Sequence, residues 1–282
     1  MATVRTIELP SGRQIPVFGM GTWRMGEDSR KNQAEIAALR RGMELGISLI
    51  DTAEMYGEGG AEKVIGEALA DASRRSEVFL VSKVYPHNAS RKGVIAACDR
   101  TLKRLNTDYL DLYLLHWRSS VPLSETLEAF EALKQAGKIC DYGVSNFDVD
   151  DMKEAVGLEG GNLIATNQIL YNLSRRGVEL TLLPWCKQQK MPVMAYSPIE
   201  QGRLLGNQAL RQIAQARGFT EAQIAIAWLL HQDNIIVIPK ASKIEHIEQN
   251  YAALDISLNA EELKKLDIAF PKPNRPIPLE ML

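Results

Sequence analysis

Short apolar runs alternate with amphipathic segments along the chain. Several of the runs, such as FLVSK and LDLYLLH, are apolar at consecutive positions, a pattern typical of strands that are covered on both faces. Eight such runs predict strands, at residues 17–22, 48–53, 78–83, 110–116, 141–146, 165–169, 192–197 and 235–240.

The segments between the runs carry apolar residues three and four positions apart, which predicts helices. The clearest of them cover residues 32–45, 90–105, 122–135 and 178–189. Gly46 is a predicted C-terminal cap, and Ser124 and Thr220 are predicted helix starts. Two further helices are expected within residues 207–231, and a closing helix at 260–269.

The alternation of strand and helix predicts a parallel sheet, because each parallel connection needs a crossover helix. Eight strands favour a closed (β/α)8 TIM barrel over an open doubly wound sheet. Residues 6–9 and 14–17 flank a Pro-Ser-Gly-Arg turn and predict an N-terminal β-hairpin. The C-terminal tail is short and proline-rich, and we expect it to be irregular. No linker is visible, so residues 1–282 are predicted to form a single domain.

Composition and charge narrow the functional classes. Of the 282 residues, 45% are hydrophobic and 24% are charged, with a formal net charge of −2. This balance gives no global positive field for nucleic acid or an anionic membrane. The N-terminus lacks the apolar stretch of a signal peptide, and the apolar stretch at residues 225–230 is too short to span a bilayer. We therefore expect a cytoplasmic protein, and a monomer, since nothing indicates an obligate interface.

The three cysteines are odd in number and widely spaced, and they form neither a metal-binding pattern nor a CxxC pair. We interpret them as buried, inert thiols of a reducing compartment, and predict no metal site. They are Cys98, Cys140 and Cys186.

Ionisable residues close three neighbouring strands. Asp51, Lys83 and His116 each end a mainly apolar run, and active sites of (β/α)8 barrels lie at the C-terminal ends of the strands. Tyr56 follows Asp51 by five residues, in a glycine-containing loop that can fold the phenol over the barrel mouth. Each residue alone could be a structural polar group, but the four together predict an active site.

These residue types suit proton donation to an oxygen. A tyrosine has an unperturbed pKa of about 10, so we expect Lys83, held by Asp51, to lower the pKa of Tyr56. His116 could orient a carbonyl oxygen beside the phenol. The set holds no covalent nucleophile with a base, so its natural partner is a hydride-donating cofactor. No GxGxxG is present, which argues against a Rossmann dehydrogenase.

The segments around these residues resemble the aldo-keto reductase family, and within it the bacterial methylglyoxal and aldehyde reductases. The resemblance extends from residue 19 to residue 254 and rests on five motifs in order: IDTAEMYGEGGAEKVIGEAL, LDLYLLHW, GVSNF, MAYSPIEQ and IPKASKIEHIEQN. It implies NAD(P)H-dependent reduction of aldehydes and ketones to alcohols. Asp51, Tyr56, Lys83 and His116 fall on the family's catalytic tetrad, with Tyr56 as the general acid.

The resemblance also implies where a nicotinamide dinucleotide binds. Ser145, Asn146 and Gln168 correspond to positions that hold the carboxamide, and Tyr196 to an aromatic ring on the nicotinamide face. The other implied cofactor residues are Gly21, Thr22 and Asp51 at the first strands, Ser197, Ile199 and Gln201 near the pyrophosphate, Lys240, Ser242 and His246 around the 2′-phosphate, and Gln249 and Asn250 near adenine.

The chain departs from the family pattern at the phosphate site. His246 stands where the family usually has an arginine that grips the phosphate bidentately, and Ala241 replaces a common serine. Lys240 and Lys243 remain, so NADPH is favoured while NADH stays possible. The short tail predicts an open substrate mouth.

The predicted substrate cleft is aromatic, which suits a small or planar carbonyl compound in a largely apolar cleft. Small 2-oxoaldehydes such as methylglyoxal, or aromatic aldehydes, follow from the resemblance. The cleft residues are Trp23, Tyr56, Tyr85, His116 and Trp117.

Several alternatives stay open at this point. Tyr196 could be barrel packing, and Asn146 an ordinary helix cap. The chain could be a cofactor-binding regulatory subunit without turnover. It could also be a barrel lyase in which Lys83 forms a Schiff base, which would require a desolvated lysine without a carboxylate partner.

Overall fold

The computed structural model describes residues 4–70 and 72–282, which form a small hairpin and a barrel. The hairpin pairs β1 (Thr6–Glu8) with β2 (Gln14–Pro16) in antiparallel register. The barrel strands that follow are β3 (Gly19–Gly21), β4 (Leu49–Asp51), β5 (Phe79–Val84), β6 (Leu110–Leu115), β7 (Ile139–Ser145), β8 (Ile164–Leu170), β9 (Val193–Tyr196) and β10 (Ile235–Val237).

The barrel is closed by contacts between its first and last strands. The eight strands formed by the described residues pair in chain order from β3 to β10, and every pair is parallel. Parallel bridges join Phe18 to Val237 and Gly21 to Lys240, and Val237 donates its backbone N–H to the Val17 carbonyl at 2.8 Å. The predicted (β/α)8 barrel with an N-terminal hairpin is confirmed.

Helices lie between successive strands and after the last one. Those predicted at 32–45, 90–105 and 122–135 are present to within one residue at each end, whereas the one at 178–189 is shorter because a 3-10 turn precedes it. The helices are α1 (Asn32–Glu44), α2 (Gly60–Ala68), α3 (Arg91–Leu105), α4 (Leu123–Gln135), α5 (Val149–Gly157), α6 (Leu182–Gln188), α7 (Gln208–Arg217), α8 (Glu221–His231), α9 (Ile244–Ala252) and α10 (Ala260–Ala269).

The predicted helix ends were correct at two of three positions. Gly46 takes φ +91° just after α1, as a left-handed C-terminal residue should. Thr220 caps α8 in a reciprocal capping box with Gln223. Ser124 is wrong as a helix start, because Pro122 occupies the cap position of α4 and places Ser124 inside the first turn.

The barrel interior is a separate apolar core, packed with residues from alternate positions of the strands. Leu9 and Ile15 of the hairpin belong to the same cluster, so the hairpin covers the N-terminal end of the barrel. The strand residues of this cluster are Leu49, Phe79, Val81, Leu112, Leu114, Ala165, Met194 and Ile236.

The cysteine prediction holds for two of the three residues. Cys98 and Cys186 are buried, and burial raises the pKa of both thiols to about 12. Cys140 is only partly buried, so the prediction of a buried thiol is wrong there. It lies near the start of β7, at the hairpin end of the barrel where Arg13 is its neighbour.

Within the described residues, none of the helices has the length and apolar character needed to cross a membrane. The single domain predicted for residues 1–282 stays a prediction, and residues 1–3 and 71 lie outside the described part of the chain.

Arg13 fastens the hairpin to the barrel. Its guanidinium contacts Asp111 Oδ1 at 2.7 Å and Asp141 Oδ2 at 3.2 Å, and both carboxylates are buried. We expect Arg13→Gln to lower the free energy of unfolding by about 1–2 kcal/mol, because the two buried carboxylates lose a charged donor. Urea unfolding measures the change.

Arg30→Gln is the matched control for that measurement. Arg30 pairs with Asp28 at the surface and is 88% exposed, so its loss should cost less than about 0.5 kcal/mol. Equal effects of the two substitutions would show that Arg13 does not fasten the hairpin.

Candidate active site

Strand alternation brings the predicted ionisable residues to one end of the barrel. Leu49, Val81 and Leu114 face the interior. Because side chains alternate along a strand, Asp51, Lys83 and His116, each two residues further on, continue the same inward-facing rows. Asp51 ends β4, Lys83 is the penultimate residue of β5, and His116 directly follows β6. The three side chains therefore meet at the C-terminal mouth.

The Lys83 ammonium is the hub of this group. Its Nζ lies 2.9 Å from Asp51 Oδ2, 2.8 Å from the Thr52 carbonyl and 3.2 Å from the Tyr56 hydroxyl. The side chain is fully buried. Burial works against the charged form, but Asp51 and Tyr56 outweigh it, so the pKa of Lys83 is raised. Lys83 therefore stays a cation at neutral pH.

The Tyr56 phenol retains its proton. Burial raises its pKa, and the opposing effect of Lys83 is smaller. The expectation that Lys83 would bring the pKa of Tyr56 below its usual value is therefore wrong, because loss of hydration penalises the phenolate more than one ammonium stabilises it. The Lys83 ammonium does, however, reduce the free-energy cost of ionising the buried Tyr56 phenol.

The His116 imidazole is a neutral partner of the phenol. Burial, with the charge of Lys83 added, lowers the pKa of His116 to about 2. Its ring stands edge-on to Tyr56 with the centroids 5.8 Å apart. Its Nδ1 atom is buried without a hydrogen-bond partner, and such an atom carries a free-energy cost unless a bound group satisfies it.

The loop that carries Tyr56 folds back as the glycines predicted. Residues Tyr56–Gly59 form a 3-10 turn in which Gly57 and Gly59 have φ values of +56° and +84°. A Cβ atom on Gly57 would lie 3.1 Å from the Met25 carbonyl oxygen. Glycine at this position lets the turn pack against the loop after β3.

Polar side chains from β7, β8 and β9 surround the tetrad. Gln168 donates to Asp51 Oδ1 at 2.8 Å, and Ser145 donates to the Gln168 carbonyl at the same distance. Asn146 donates to the His116 carbonyl and accepts from the Tyr196 hydroxyl at 2.9 Å. Asn146 is not a helix cap, because Asp148 caps α5.

Gly21 and Thr22 lie at the end of the neighbouring strand. Thr22 donates to the Asp51 carbonyl at 2.9 Å, and Gly21 pairs with Asp51 in the sheet. A Cβ atom on Gly21 would approach the Ile238 carbonyl to 2.8 Å. Both residues thus border the tetrad, and both have a packing role in closing the barrel.

A second set of predicted residues lines a cavity of about 500 Å³ beside α7, α8 and α9. The predicted cofactor residues among its lining are Ile199, Lys240, His246, Gln249 and Asn250. Ser242 accepts a hydrogen bond from Lys240 at 3.2 Å. The other lining residues, none of which was predicted to belong to a site, are Leu205, Arg211, Ala214, Gln215, Phe219, Thr220, Glu221 and Ala222.

The segment after β9 joins this cavity to the tetrad. Ser197, Glu200 and Gln201 all have positive φ values, between 50° and 54°. Asn172 donates to the Ser197 carbonyl at 2.9 Å and to Glu200 at 2.8 Å. Asn172 was missed, although it follows the end of β8 and the strand-end rule that selected Asp51 would have found it.

Aromatic rings border the mouth. Trp117 contacts His116 at a centroid distance of 4.8 Å and Tyr85 at 6.2 Å, so these rings adjoin Tyr56. Trp23 instead stacks against the Arg24 guanidinium at 4.4 Å. The predicted open mouth is wrong in part, because the tail reaches the site and the Leu282 backbone N–H lies 3.4 Å from the Tyr196 hydroxyl.

Together these features suit an elongated cofactor with a charged end. The cavity is lined by an ammonium, an imidazole, three amide side chains, the ion-paired Arg211 and Glu221, and the apolar surfaces of Ile199 and Phe219. This set suits a phosphate attached to a heteroaromatic base. The mouth offers Ser145, Asn146 and Gln168, whose side chains can bind a carboxamide.

Comparison with known proteins agrees with this arrangement. The chain is similar to methylglyoxal reductase YeaE of Escherichia coli (strain K12), with 52% identity over 283 residues that cover 99% of both chains. It is also similar to glyoxal reductase of Bacillus subtilis (strain 168), at 33% identity over 93% of this chain and 91% of that one.

A solved structure extends the similarity to the fold. The aldo/keto reductase from Klebsiella pneumoniae in complex with NADP and acetate has a TM-score of 0.95 and 48% identity, covering 99% of this chain and 100% of that one. Residues 17–270 match the family model described as the aldo/keto reductase family. With the match covering nearly all of the barrel, the chain is a member of the aldo/keto reductase family.

Proposed function

We propose that this enzyme uses NADPH to reduce small aldehydes and ketones to alcohols, with Tyr56 as the general acid. The observation that carries the proposal is the position of the Lys83 ammonium, 2.9 Å from Asp51 and 3.2 Å from the Tyr56 hydroxyl at the barrel mouth. The family membership and the cavity beside α9 support a nicotinamide cofactor.

The chain's residues supply a proton and fix the carbonyl. Neutral His116, beside Tyr56, holds the carbonyl oxygen of the substrate next to the phenol. A bound nicotinamide supplies the hydride. As negative charge develops on the oxygen, Tyr56 donates its proton, and the resulting phenolate is stabilised by the Lys83 ammonium. Asp51 keeps that ammonium charged and in position.

We assign cofactor contacts to the residues that border the mouth and the cavity. Ser145, Asn146 and Gln168 would hold the carboxamide, and Tyr196 the nicotinamide face. Burial raises the pKa of Tyr196 to about 12, so its hydroxyl stays a donor to Asn146. The remaining contacts fall to Gly21, Thr22 and Asp51 at the strand ends, Ser197, Ile199 and Gln201 along the pyrophosphate, Lys240, Ser242 and His246 at the 2′-phosphate, and Gln249 and Asn250 at adenine.

The aromatic mouth supports a small or planar carbonyl substrate, and we propose the 2-oxoaldehydes, with methylglyoxal first. Two relatives are named as methylglyoxal and glyoxal reductases. Tyr56, Tyr85, His116 and Trp117 would contact the substrate, and Trp23 would border it. That the enzyme works as a monomer in the cytoplasm stays a prediction.

The Schiff-base alternative is disfavoured by the state of Lys83. A lysine nucleophile needs a depressed pKa so that its amine is free, whereas Asp51 and Tyr56 raise the pKa of Lys83. A binding subunit without turnover would have no need of this buried ion pair beside a phenol. Aldehyde-dependent NADPH oxidation tests the reductase directly.

Tyr56→Phe should abolish turnover and leave the cofactor dissociation constant nearly unchanged, because it removes the proton donor and keeps the ring. We expect methylglyoxal-dependent NADPH oxidation to fall by at least ~10²-fold, the low end for general acid catalysis. Tyr109→Phe is the matched control, since Tyr109 lies just before β6, at the opposite end of the barrel from Tyr56, with its ring against the Arg75 guanidinium. A Tyr56→Phe enzyme within a few-fold of wild type would remove Tyr56 from the acid role.

His116 should remain neutral from pH 8 to pH 5. Its pKa is lowered to about 2, so protonation would begin only far below this range. Proton NMR of the imidazole C–H resonance should show no titration shift, whereas free histidine in the same tube titrates near pH 6.5. A midpoint between pH 5 and pH 7 would contradict the neutral role of His116.

His246→Arg should increase the preference for NADPH over NADH. Wild type should favour NADPH by about tenfold to a hundredfold, from one good ammonium–phosphate contact. The guanidinium should add a bidentate contact worth about a further tenfold. Dissociation constants for both cofactors measure the ratio, and His231→Arg, at the exposed end of α8, is the control. An unchanged ratio would show that residue 246 does not contact the 2′-phosphate.

A further inference from the structure

The segment 197–202 has backbone dihedral angles that are unfavourable for L-residues, so contacts with the surrounding structure must hold it in this conformation. Ser197, Glu200 and Gln201 are not glycines, yet each lies at positive φ, a conformation that L-residues keep only when their surroundings enforce it. The proposed function places this segment along the cofactor pyrophosphate. The groups that enforce its shape therefore bear on cofactor binding.

Glu200 is the anchor of the segment. Its side chain is 3% exposed, and Asn172, Arg175 and Arg203 donate to it. Arg175 donates twice to one carboxylate oxygen, with Nη2 at 2.7 Å and Nε at 3.0 Å from Oε1. These donors lower the pKa of Glu200 although burial opposes them. A buried carboxylate bound this way keeps the segment at one position.

Arg175 has a second partner in the C-terminal tail. Its Nη1 donates to Glu280, so one guanidinium joins the tail to Glu200. Ile277 of the same tail packs on Gly177, where a Cβ atom would lie 2.6 Å from Ile277 Cγ1. The tail then continues to Tyr196, the proposed nicotinamide contact. The tail is thus linked to the segment 197–202 through Arg175, and to Tyr196, which directly precedes that segment, through Leu282.

We infer that Arg175 is a positioning residue that couples the C-terminal tail to the cofactor-holding segment 197–202, so that docking of the tail strengthens NADPH binding. The inference rests on the proposed function. By linkage, the reverse also holds, and bound NADPH favours the docked tail. The guanidinium is suited to this because its planar fork can serve two carboxylates at once, which a lysine ammonium does less well.

The test is a double-mutant cycle on the NADPH dissociation constant, measured in the absence of a carbonyl substrate. Glu280→Gln breaks only the tail contact and should weaken NADPH binding by about twofold to fivefold, as for a partly exposed ion pair. Arg175→Met breaks both contacts and should weaken it by about tenfold or more. Adding Glu280→Gln to Arg175→Met should change little further, because the tail is already disconnected.

Two controls accompany the cycle. Asp99→Asn removes an exposed ion pair with Lys138, between α3 and the start of β7, and should leave the NADPH dissociation constant unchanged. Arg175→Lys keeps the charge but not the two-carboxylate fork, so its affinity should lie between those of wild type and Arg175→Met. If Arg175→Met does not fold, Arg175→Lys takes its place in the cycle with Glu280→Gln.

The kinetic signature separates positioning from a loss of chemistry. In Glu280→Gln and Arg175→Lys, the KM for NADPH should rise while kcat at saturating cofactor stays within about twofold of wild type, as for lost uniform binding. Additive effects in the cycle, an unchanged dissociation constant in Glu280→Gln, or a fall in kcat alone would each overturn the inference. A wild-type enzyme that binds neither NADPH nor NADH would instead overturn the proposed function.

Discussion

The Lys83 ammonium lies fully buried between a carboxylate, a backbone carbonyl and a phenol, and the site depends on this arrangement. A charge without hydration is stable only if its neighbours replace the lost water. Asp51 and the Thr52 carbonyl do so, and Gln168 in turn orients Asp51. The same contacts leave the ammonium 3.2 Å from the Tyr56 hydroxyl, where the proposed proton transfer would leave a negative charge.

This arrangement is possible because the barrel is closed. The Gly21–Lys240 bridge joins the first strand to the segment after the last one. The inner rows of side chains form a packed core at one end and the candidate active site at the other. The hairpin covers the N-terminal end through Leu9, Ile15 and Arg13.

The mouth itself is shaped by loops, which carry the strained backbone. Positive φ values at Glu58, Asn146 and Ser197 follow the ends of different barrel strands, and each residue is fixed by neighbours from another loop or from the tail. Such residues are common where a scaffold holds a ligand in one geometry. The rigid barrel supplies the tetrad, while the loops after β7, β8 and β9 supply the proposed cofactor contacts.

The sequence by itself determined the barrel, because runs of consecutive apolar residues joined by crossover helices leave few topologies. It selected Asp51, Lys83 and His116 by their places at strand ends, and Tyr56 by the loop that follows Asp51. It could not determine that burial outweighs Lys83 and raises the pKa of Tyr56, since hydration depends on everything packed around the phenol. Nor could the sequence predict that Arg175 contacts Glu200 and Glu280, which lie 25 and 105 residues away along the chain. Contacts that distant along the chain form only through the closed tertiary structure, so no local pattern records them.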